Sequence, residues 1–585
     1  MDDKTRRGLL SSVDAHGNPR WKPATVKDLA RQSFEVPADV RDPARQGEGS
    51  ARASAPGPSS RRVWIIAPSS PLARERVAAR TVWMIVMACA VLLVLALTAR
   101  LSFLYYGTDP SVLIPSWSND TWHRWQIAYL SKEIGFSRGF LTLWDLKGLE
   151  YYWGILPPIL VAGLFGLTGS VDVMILRWLT IGAGALDVVL LFLLGRKYWS
   201  TQVGVAAAFM AALNPILIFN DPSGMVEPIS FFFLLAGIWL YPRRSALAGS
   251  LWALGAMTRA EAWLFSAGLL AAAMLGREPT ERKISLGIGW GVPILAYMKY
   301  LVDKTGNPIY PIYWNFLANA AGRWEFREGF TDYQLAARPV FGAVLAVCLV
   351  GVAWALWKRP KAHLIYLLGF GATGFVAGFV GLTAYLKSYE PWFWMTRFFV
   401  FPYMFAGLQL AAFVLGWLPG RLRLWGKLGL GWLTVIATIL ALQLTWEPVF
   451  YDVDVGYTSR TNVETLRQQG EFVGATYQGG TVLIPEGTPQ FTYALGRYSG
   501  IPGENLLGQM YGPIYYYQGD DPYQDWAAVG PQMWQWFERD HVTLLVMAPD
   551  DRRFLTMLAE HPERFEPLGT VPGSSLGLYG VVPWQ

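Results

Sequence analysis

A few charged residues interrupt a sequence that is otherwise strongly apolar, and their types and spacing suit acid–base and phosphate chemistry. The segment SWSNDTWHRWQIAYLSKEIG, residues 116–135, brings Asp120, His123 and Arg124 within one turn of a predicted helix. A carboxylate there serves as a general base if it reaches an acceptor proton. The same pattern also fits an amphipathic helix at the membrane surface, in which Asp120 only favours the helix N-terminus. The residues alone leave both interpretations open.

A second polar segment, NPILIFNDPSGMVEP at residues 214–228, carries Asp221 and Glu227 between two apolar runs. Carboxylates at membrane depth are costly and usually line a cavity. The pair therefore predicts the acidic wall of a polar pocket. The alternative is a turn-forming Asp-Pro followed by a glutamate at the rim.

Further charged residues lie at the ends of other apolar runs. Arg259 and Glu261, in the stretch MTRAEAW, interrupt an apolar hairpin, and a structural ion pair is the favoured interpretation. Arg397 follows Glu390 in KSYEPWFWMTRFF, where the planar guanidinium suits phosphate oxygens. Lys147, in WDLKGLEYYWGILPP, is a further cation, a few dozen residues after the first polar segment in the sequence.

The elements that must position these residues are membrane-spanning helices. Hydrophobic residues make up 53% of the 585 residues. They form runs of about 17–25 residues, the length that spans a hydrocarbon core of roughly 30 Å. We therefore predict a polytopic α-helical membrane protein with about eleven crossings. The predicted crossings lie near residues 81–105, 173–194, 203–219, 225–241, 245–258, 261–276, 284–301, 339–357, 364–386, 398–418 and 428–446.

The orientation in the membrane follows from the basic residues. Clusters of Lys and Arg, such as Arg196/Lys197 and Arg243/Arg244, recur in the loops on one side, and cytoplasmic loops carry such an excess. This places the N-terminus in the cytoplasm and the C-terminus outside a plasma membrane. The apolar segment 151–167 would reverse the later loops if it crossed. We therefore predict that it lies in the interface, at the end of a first external loop, residues 106–172.

Charge and cysteine content exclude several classes of function. Residues 1–80 hold 15 Lys or Arg and 9 Asp or Glu, so this segment accounts for the net charge of +6 of the whole chain. Its composition predicts a disordered basic cytoplasmic tail, not a nucleic-acid-binding domain. Cys89 and Cys348 fall inside apolar runs, which excludes a disulfide framework and a cysteine-based metal site. The sequence contains no P-loop, GxGxxG fingerprint or HExxH motif.

Residues 447–585 are predicted to form an extracytoplasmic α/β domain, with the catalytic membrane domain at 81–446. The predicted strands are TVLIP (481–485), TLLVMAP (543–549), RFEPLGTV (564–571) and LGLYGVV (576–582), and the predicted helices are Pro531–Arg539 and Asp551–His561.

This C-terminal domain is predicted to be accessory to catalysis. Its candidate carboxylates Asp520, Asp521 and Asp525 lie in a loop rich in Gly and Tyr, with no supporting base or cation nearby in sequence. Their substitution should leave the turnover rate within about tenfold, whereas a missing general base costs roughly a hundredfold or more. A total loss of activity in folded protein would instead move the catalytic site here.

Taken together, these segments resemble the GT-C glycosyltransferases, especially membrane proteins similar to protein O-mannosyltransferases and lipid A aminoarabinose transferases. The similar features are the acid in a large first loop (Asn119-Asp120), the Pro157-Pro158 segment, the polar turn that ends at Glu227, the Thr-Arg-x-Glu stretch that begins at Thr258, and a C-terminal α/β domain. The paired acid of several relatives is missing, because Asn119 precedes Asp120. The WWDYG-type motif of oligosaccharyltransferases is also missing, which argues against asparagine-linked transfer.

The resemblance implies an inverting sugar transfer, as in mannosyltransferases, from a polyprenyl-phosphate or polyprenyl-diphosphate donor at the outer membrane boundary. The acceptor would be a lipid, glycan or protein of the cell envelope. Asp120 would be the general base, and Arg259 and Arg397 would neutralise the leaving phosphate. The remaining candidate residues would contact substrates: Asn119, His123, Arg124, Lys147, Asp221, Glu227, Glu261 and Glu390. Of these, His123, Lys147, Asp221 and Glu227 would shape the pocket or hold a divalent cation.

Two other classes of function stay open at this point. Buried charges in a polytopic protein also occur in transporters and in flippases of lipid-linked glycans, and a non-catalytic assembly partner would look similar. Transporters tend to show internal repeats and polar groups near the membrane midplane. Here the charges cluster at the predicted external ends of the crossings, which favours the enzyme.

Overall fold

The structure is a computed structural model. It describes residues 71–107, 113–116, 120–136, 151, 153–315, 400–416, 418–446, 459–485, 487–513 and 526–582, with a few positions between 364 and 374. Several predictions fall outside these residues: the tail before residue 71, the crossing at 339–357 and nearly all of the crossing at 364–386, and the candidate residues Asn119, Lys147, Glu390, Arg397, Asp520, Asp521 and Asp525.

Helices dominate the described chain, as the apolar runs predict. We number them α1 Pro71–Ser102, α2 Asp120–Glu133, α3 Leu156–Thr168, α4 Met174–Tyr198, α5 Thr201–Ala212, α6 Pro215–Asn220, α7 Glu227–Leu240, α8 Ser245–Ala256, α9 Ala260–Leu275, α10 Thr280–Thr305, α11 Tyr310–Asn315, α12 Val400–Gly416 and α13 Gly420–Trp446.

Three described helices are long and apolar enough to cross a membrane: Thr81–Tyr105, Met174–Tyr198 and Thr280–Thr305. The other apolar helices have 10–17 residues. A 14-residue helix such as α7 is about 21 Å long at 1.5 Å per residue, shorter than a hydrocarbon core of roughly 30 Å. The figure of about eleven crossings and the sidedness of the termini stay predictions.

The predicted crossing at 203–219 is divided between two helices. The chain leaves α5 at Ala212 and starts α6 at Pro215. The Asn214 side chain accepts hydrogen bonds from the backbone N–H groups of Ile216 at 3.0 Å and Leu217 at 3.3 Å. An Asn cap followed by Pro at the first helical position starts a new helix, because the Asn side chain accepts from free N–H groups and Pro has no N–H that needs a partner.

The predicted interfacial segment contains α3. This helix has 13 residues, with Pro157 and Pro158 in its first turn, and Gly169 ends it in the left-handed region at φ 67°. At about 20 Å it is too short for a full crossing. The Leu156 N–H donates to the Met257 carbonyl at 3.1 Å, so α3 begins beside the loop that precedes α9.

Residues 459–582 contain a mixed sheet flanked by helices. The strands are β3 Thr481–Ile484, β4 Leu506–Gly508, β5 Val542–Met547, β6 Phe565–Thr570 and β7 Gly577–Val581, and the helices are α14 Val463–Thr476, α15 Pro489–Tyr498, α16 Trp526–Arg539 and α17 Arg552–Glu560. The sheet order is β4-β3-β5-β7-β6, with β3 parallel to β4 and β5, and β7 antiparallel to β5 and β6. Four of these strands lie where the sequence predicts strands.

The C-terminal segment packs directly on the helix that carries Asp120. The ring of Tyr493 in α15 lies 4.7 Å from that of Trp125 and 5.1 Å from that of Trp122, centroid to centroid. In addition, strand β1 (Leu113–Ser116) pairs antiparallel with β2 (Ser459–Asn462). Burial raises the pKa of Tyr129 in α2, so its phenol stays neutral against this interface. Helix α2 and strand β1 are therefore held against the C-terminal segment.

Candidate functional site

Asp120 is the first residue of α2, and its carboxylate is partly accessible. The side chain is 19% exposed, whereas Arg124 one turn later is 2% exposed and donates to Asp120 Oδ2 at 3.4 Å. A negative charge in the first helical turn is stabilised by the helix dipole. Asp120 therefore combines a fixed position with access from outside the core.

A turn formed by residues 221–227, called here the 221–227 turn, lies against the start of α2. The Thr121 hydroxyl donates to the Ser223 carbonyl at 2.7 Å, and Arg124 Nη1 lies 3.6 Å from Met225 Sδ. Gly224 has φ +76°, a left-handed conformation that favours glycine, and a Cβ there would also press on Thr121. Asp120 is thus adjacent to a residue hydrogen-bonded to this turn.

Helix α4 holds the same turn through its buried polar residues. The Thr180 hydroxyl donates to the Asp221 carbonyl at 2.6 Å, and Arg177 Nη1 donates to the Pro222 carbonyl at 2.9 Å. Both side chains are fully buried. Unsatisfied carbonyls are costly in such surroundings, so these bonds fix the backbone of the turn.

Arg259 lies between two carboxylates at the end of the 221–227 turn. Its Nη1 donates to Glu227 Oε1 at 2.6 Å, and its Nε donates to Glu261 Oε1. Glu227 is 1% exposed, Glu261 6% and Arg259 10%. Asp120 also interacts electrostatically with Arg259. The structural pair of Arg259 and Glu261 is present, and Glu227 joins it from a distant part of the sequence.

His123 is placed against an aromatic side chain. Its ring stacks on that of Trp153 with centroids 5.2 Å apart and planes 26° apart, and it is 4% exposed. Ile127, one turn further along α2, packs on the same segment before α3. His123 therefore helps to pack α2 against the segment that precedes α3.

A buried ion pair that the sequence analysis missed anchors the first residue of the turn. Arg100, at the end of α1, donates from Nε to Asp221 Oδ2 at 2.6 Å, and both side chains are almost completely buried. Asp187 in α4 interacts electrostatically with both residues. Gly184, one turn earlier, permits the approach, because a Cβ there would collide with the Asp221 carboxylate.

Asp187 is unusual within the cluster that it forms with Arg100 and Asp221. It is 0% exposed, and neither of its carboxylate oxygens has a hydrogen-bond partner among the residues that the structure describes. Charged residues inside apolar runs are rare in membrane helices and usually face partners inside the bundle. This rule was the available signal for Arg100 and Asp187, but the sequence analysis counted both only as parts of crossings.

Comparison with known proteins was made at the levels of sequence and structure. No protein-family model and no curated protein matches the sequence. The Archaeoglobus fulgidus oligosaccharyltransferase, tethered with an acceptor peptide containing the NVT sequon, aligns with a TM-score of 0.50 and 11% identity, over 86% of this chain and 74% of that chain. The fold of this chain is similar to that of the GT-C glycosyltransferases. The resemblance predicted from the sequence is confirmed at the level of the fold.

Two further solved structures align with somewhat lower scores. ArnT from Cupriavidus metallidurans bound to undecaprenyl phosphate gives a TM-score of 0.49 and 13% identity, over 86% of this chain and 98% of that chain. AglB from Archaeoglobus fulgidus, in complex with an inhibitory peptide and a dolichol-phosphate, gives 0.48 and 11%, over 78% and 69%.

The carboxylates of the described residues bear on the divalent cation that the resemblance implies. Among the described residues, no group of three or more His, Cys, Asp or Glu is arranged to hold a metal ion. Asp221, Glu227 and Glu261 instead accept hydrogen bonds from arginines. Cations so placed compete with a metal for the same oxygens, so these residues do not fit a divalent cation.

Proposed function

We propose that the protein is an integral-membrane glycosyltransferase that transfers a hexose from a polyprenyl-phosphate donor to an acceptor hydroxyl on the outer face of the membrane. The observation that carries this proposal is the placement of Asp120, whose accessible carboxylate is held at the start of α2 beside buried, paired charges. The GT-C-like fold supports the same reaction class. Fold alone does not specify chemistry, so the site carries the argument.

The proposed reaction is a single inverting displacement. The acceptor oxygen attacks the anomeric carbon as Asp120 removes its proton, and the bond between that carbon and the phosphate oxygen breaks. The electron pair leaves with the polyprenyl phosphate. Because the acceptor enters opposite the leaving phosphate, the anomeric configuration inverts. A positioned carboxylate contributes a factor of about 10²–10⁴ to such a step.

The charge balance around Arg259 suggests how the donor phosphate is bound. Arg259 already meets two carboxylates, Glu227 and Glu261, so this triad carries a net negative charge. An anion gains little from a cation neutralised in this way. We therefore assign Arg259 to holding the 221–227 turn. We assign phosphate binding to Arg397 and Lys147, because a planar guanidinium and a compact ammonium both suit phosphate oxygens.

The test uses the full-length protein in liposomes with undecaprenyl-phosphate-linked mannose, glucose and galactose, each labelled in the sugar, and with extracted envelope lipids and proteins as acceptors. We expect label to move from the lipid to an acceptor with one of these donors. Mannose is our first candidate. An Asp120→Asn protein at equal amount serves as the matched control.

The opposing result separates this proposal from a flippase. Labelled lipid-linked sugar that crosses the bilayer without transfer to any acceptor would overturn the enzyme assignment. Transfer that proceeds equally in the control would retain the enzyme but remove Asp120 from its chemistry.

A further inference from the structure

The 221–227 turn is bound by residues from three separate parts of the chain. Arg100 at the end of α1 pairs with the Asp221 side chain at 2.6 Å, and Thr180 in α4 donates to the Asp221 carbonyl at 2.6 Å. At its other end, Arg259 pairs with Glu227 at 2.6 Å. Both ends of this seven-residue turn are therefore anchored in the buried helical core.

Between these anchors, the turn contacts the residue that follows Asp120 through the Ser223 carbonyl and, more weakly, through the Met225 sulfur at 3.7 Å. The Thr121 side chain is fully buried, and its hydroxyl donates to the Ser223 carbonyl at 2.7 Å. The neighbouring contact between Arg124 and Met225 involves sulfur at 3.6 Å and is weaker. The Thr121 bond is thus the strongest described polar connection from the anchored turn to the first turn of α2.

We propose that the 221–227 turn positions Asp120 and that Thr121 is the positioning residue through which it acts. In its first turn, a helix lacks the backbone partners that hold later turns, so its end frays unless an outside group fixes it. Fixing Thr121 therefore restrains the backbone of its neighbour Asp120 at the start of α2. A displacement of about 1 Å in a reacting group can lower a rate by up to about a hundredfold.

The test compares two substitutions at one position. Thr121→Val keeps the shape but removes the donor, whereas Thr121→Ser keeps the donor. We expect Thr121→Val to lower the single-turnover transfer rate at least about tenfold, with the apparent donor affinity unchanged, and Thr121→Ser to restore most of the rate. Thr492→Val is the matched control, because Thr492 is equally buried but its hydroxyl donates within its own helix, to the Thr488 carbonyl.

A second measurement does not depend on activity. Amide hydrogen exchange across the start of α2 should accelerate at least about fivefold in Thr121→Val and stay at the wild-type rate in Thr121→Ser and Thr492→Val. A merely structural role would lower the folded fraction in Thr121→Val without this local change. Unchanged exchange at the start of α2 would overturn the positioning role, whatever the protein catalyses.

The rate measurement rests on the proposed function. We therefore repeat it with Thr121→Val added to the Asp120→Asn variant. If Thr121 acts through Asp120, adding Thr121→Val to Asp120→Asn should change the residual rate by less than about twofold, because the two effects are coupled. A full additional tenfold loss in the double variant would overturn the inference while leaving Asp120 as the base. A wild-type rate in Asp120→Asn alone would overturn the proposed role of Asp120 instead.

Discussion

Replacing Asp120 with Asn is expected to lower the transfer rate at least about a hundredfold in a protein that inserts and folds normally. Asn has the same size and still suits the start of a helix. The substitution breaks the ion pair with Arg124, but Asp120 is 19% exposed and the pair has i,i+4 spacing. Arg124 is only 2% exposed, but the amide oxygen of Asn can still accept its hydrogen bond, so the buried guanidinium keeps this partner. The expected loss is therefore in chemistry, with folding preserved.

A carboxylate of ordinary basicity suffices for this role. Sugar transfer from a phosphate passes through an oxocarbenium-like state, as glycoside hydrolysis does. The base then takes the proton only as the new bond forms, when the acceptor oxygen has become acidic.

The measurement is single-turnover transfer at matched protein levels in the membrane. His123→Ala is the comparison, because His123 stacks on Trp153 and is assigned to the pocket wall. We expect it to cost less than Asp120→Asn. A near wild-type rate for Asp120→Asn would remove Asp120 from the reaction. Glu227 and Asp221 would then be the next candidates, although each is buried in an ion pair that must first open.

The sequence predicted the acidic and basic residues of the site better than it predicted their partners. Asp120, Glu227 and Arg259 stand out because charges are costly next to apolar runs. That Glu227 pairs with Arg259, 32 residues later, depends on how α7 and α9 pack. Side-chain packing across such distances leaves no periodic signal in one sequence.

The same limit explains the missed anchor of the turn. Arg100 and Asp187 lie within apolar runs that are long enough to cross a membrane. Hydropathy therefore predicts them as parts of membrane-spanning helices and gives them no separate role. Their role becomes visible only in the folded chain, where Arg100 pairs with Asp221 and Asp187 interacts electrostatically with both. The broken crossing at 203–219 shows the opposite case, because the signal at Asn214-Pro215 was visible and was outweighed by hydropathy.

The similarity in fold and the missing motif are compatible. The fold is similar to that of an archaeal oligosaccharyltransferase, yet the sequence lacks the WWDYG-type motif. A fold fixes the placement of helices, while acceptor choice depends on particular side chains lining the site. Asparagine-linked transfer therefore does not follow from the shared architecture.

Asp221→Asn is expected to lower stability far more than Asp187→Asn, although both aspartates are buried beside Arg100. One guanidinium faces two carboxylates here. Asp221 accepts a hydrogen bond from Arg100 at 2.6 Å, whereas no hydrogen bond to Asp187 occurs within the described residues. An ionised carboxylate buried without a hydrogen bond is costly by several kcal/mol, and binding a proton removes that cost. We therefore expect Asp187 to be the neutral member of the cluster.

Asp187→Asn then exchanges a neutral acid for a neutral amide of the same shape, and the free energy of unfolding should change by about 1 kcal/mol or less. Asp221→Asn removes the charge that balances Arg100. Breaking one partner of a buried ion pair costs about 3–5 kcal/mol, because it leaves an uncompensated buried charge. The measurement is the folded fraction remaining after graded heating in detergent, followed by size-exclusion chromatography. Equal losses in the two variants would show that Asp187 is ionised in the native protein.

The double variant gives the sharpest result. In Asp221→Asn alone, Asp187 is close enough to Arg100 to interact with it electrostatically. It is therefore expected to release its proton and compensate the guanidinium in part, which places the loss toward the lower end of the range. In Asp221→Asn with Asp187→Asn, no carboxylate of the cluster remains, and stability should fall clearly below that of Asp221→Asn. Asp187→Asn would thus be nearly neutral in the wild type and damaging in the variant, a coupling that independent sites do not show. A double variant as stable as Asp221→Asn would mean that Asp187 stays protonated in Asp221→Asn and does not balance the charge of Arg100.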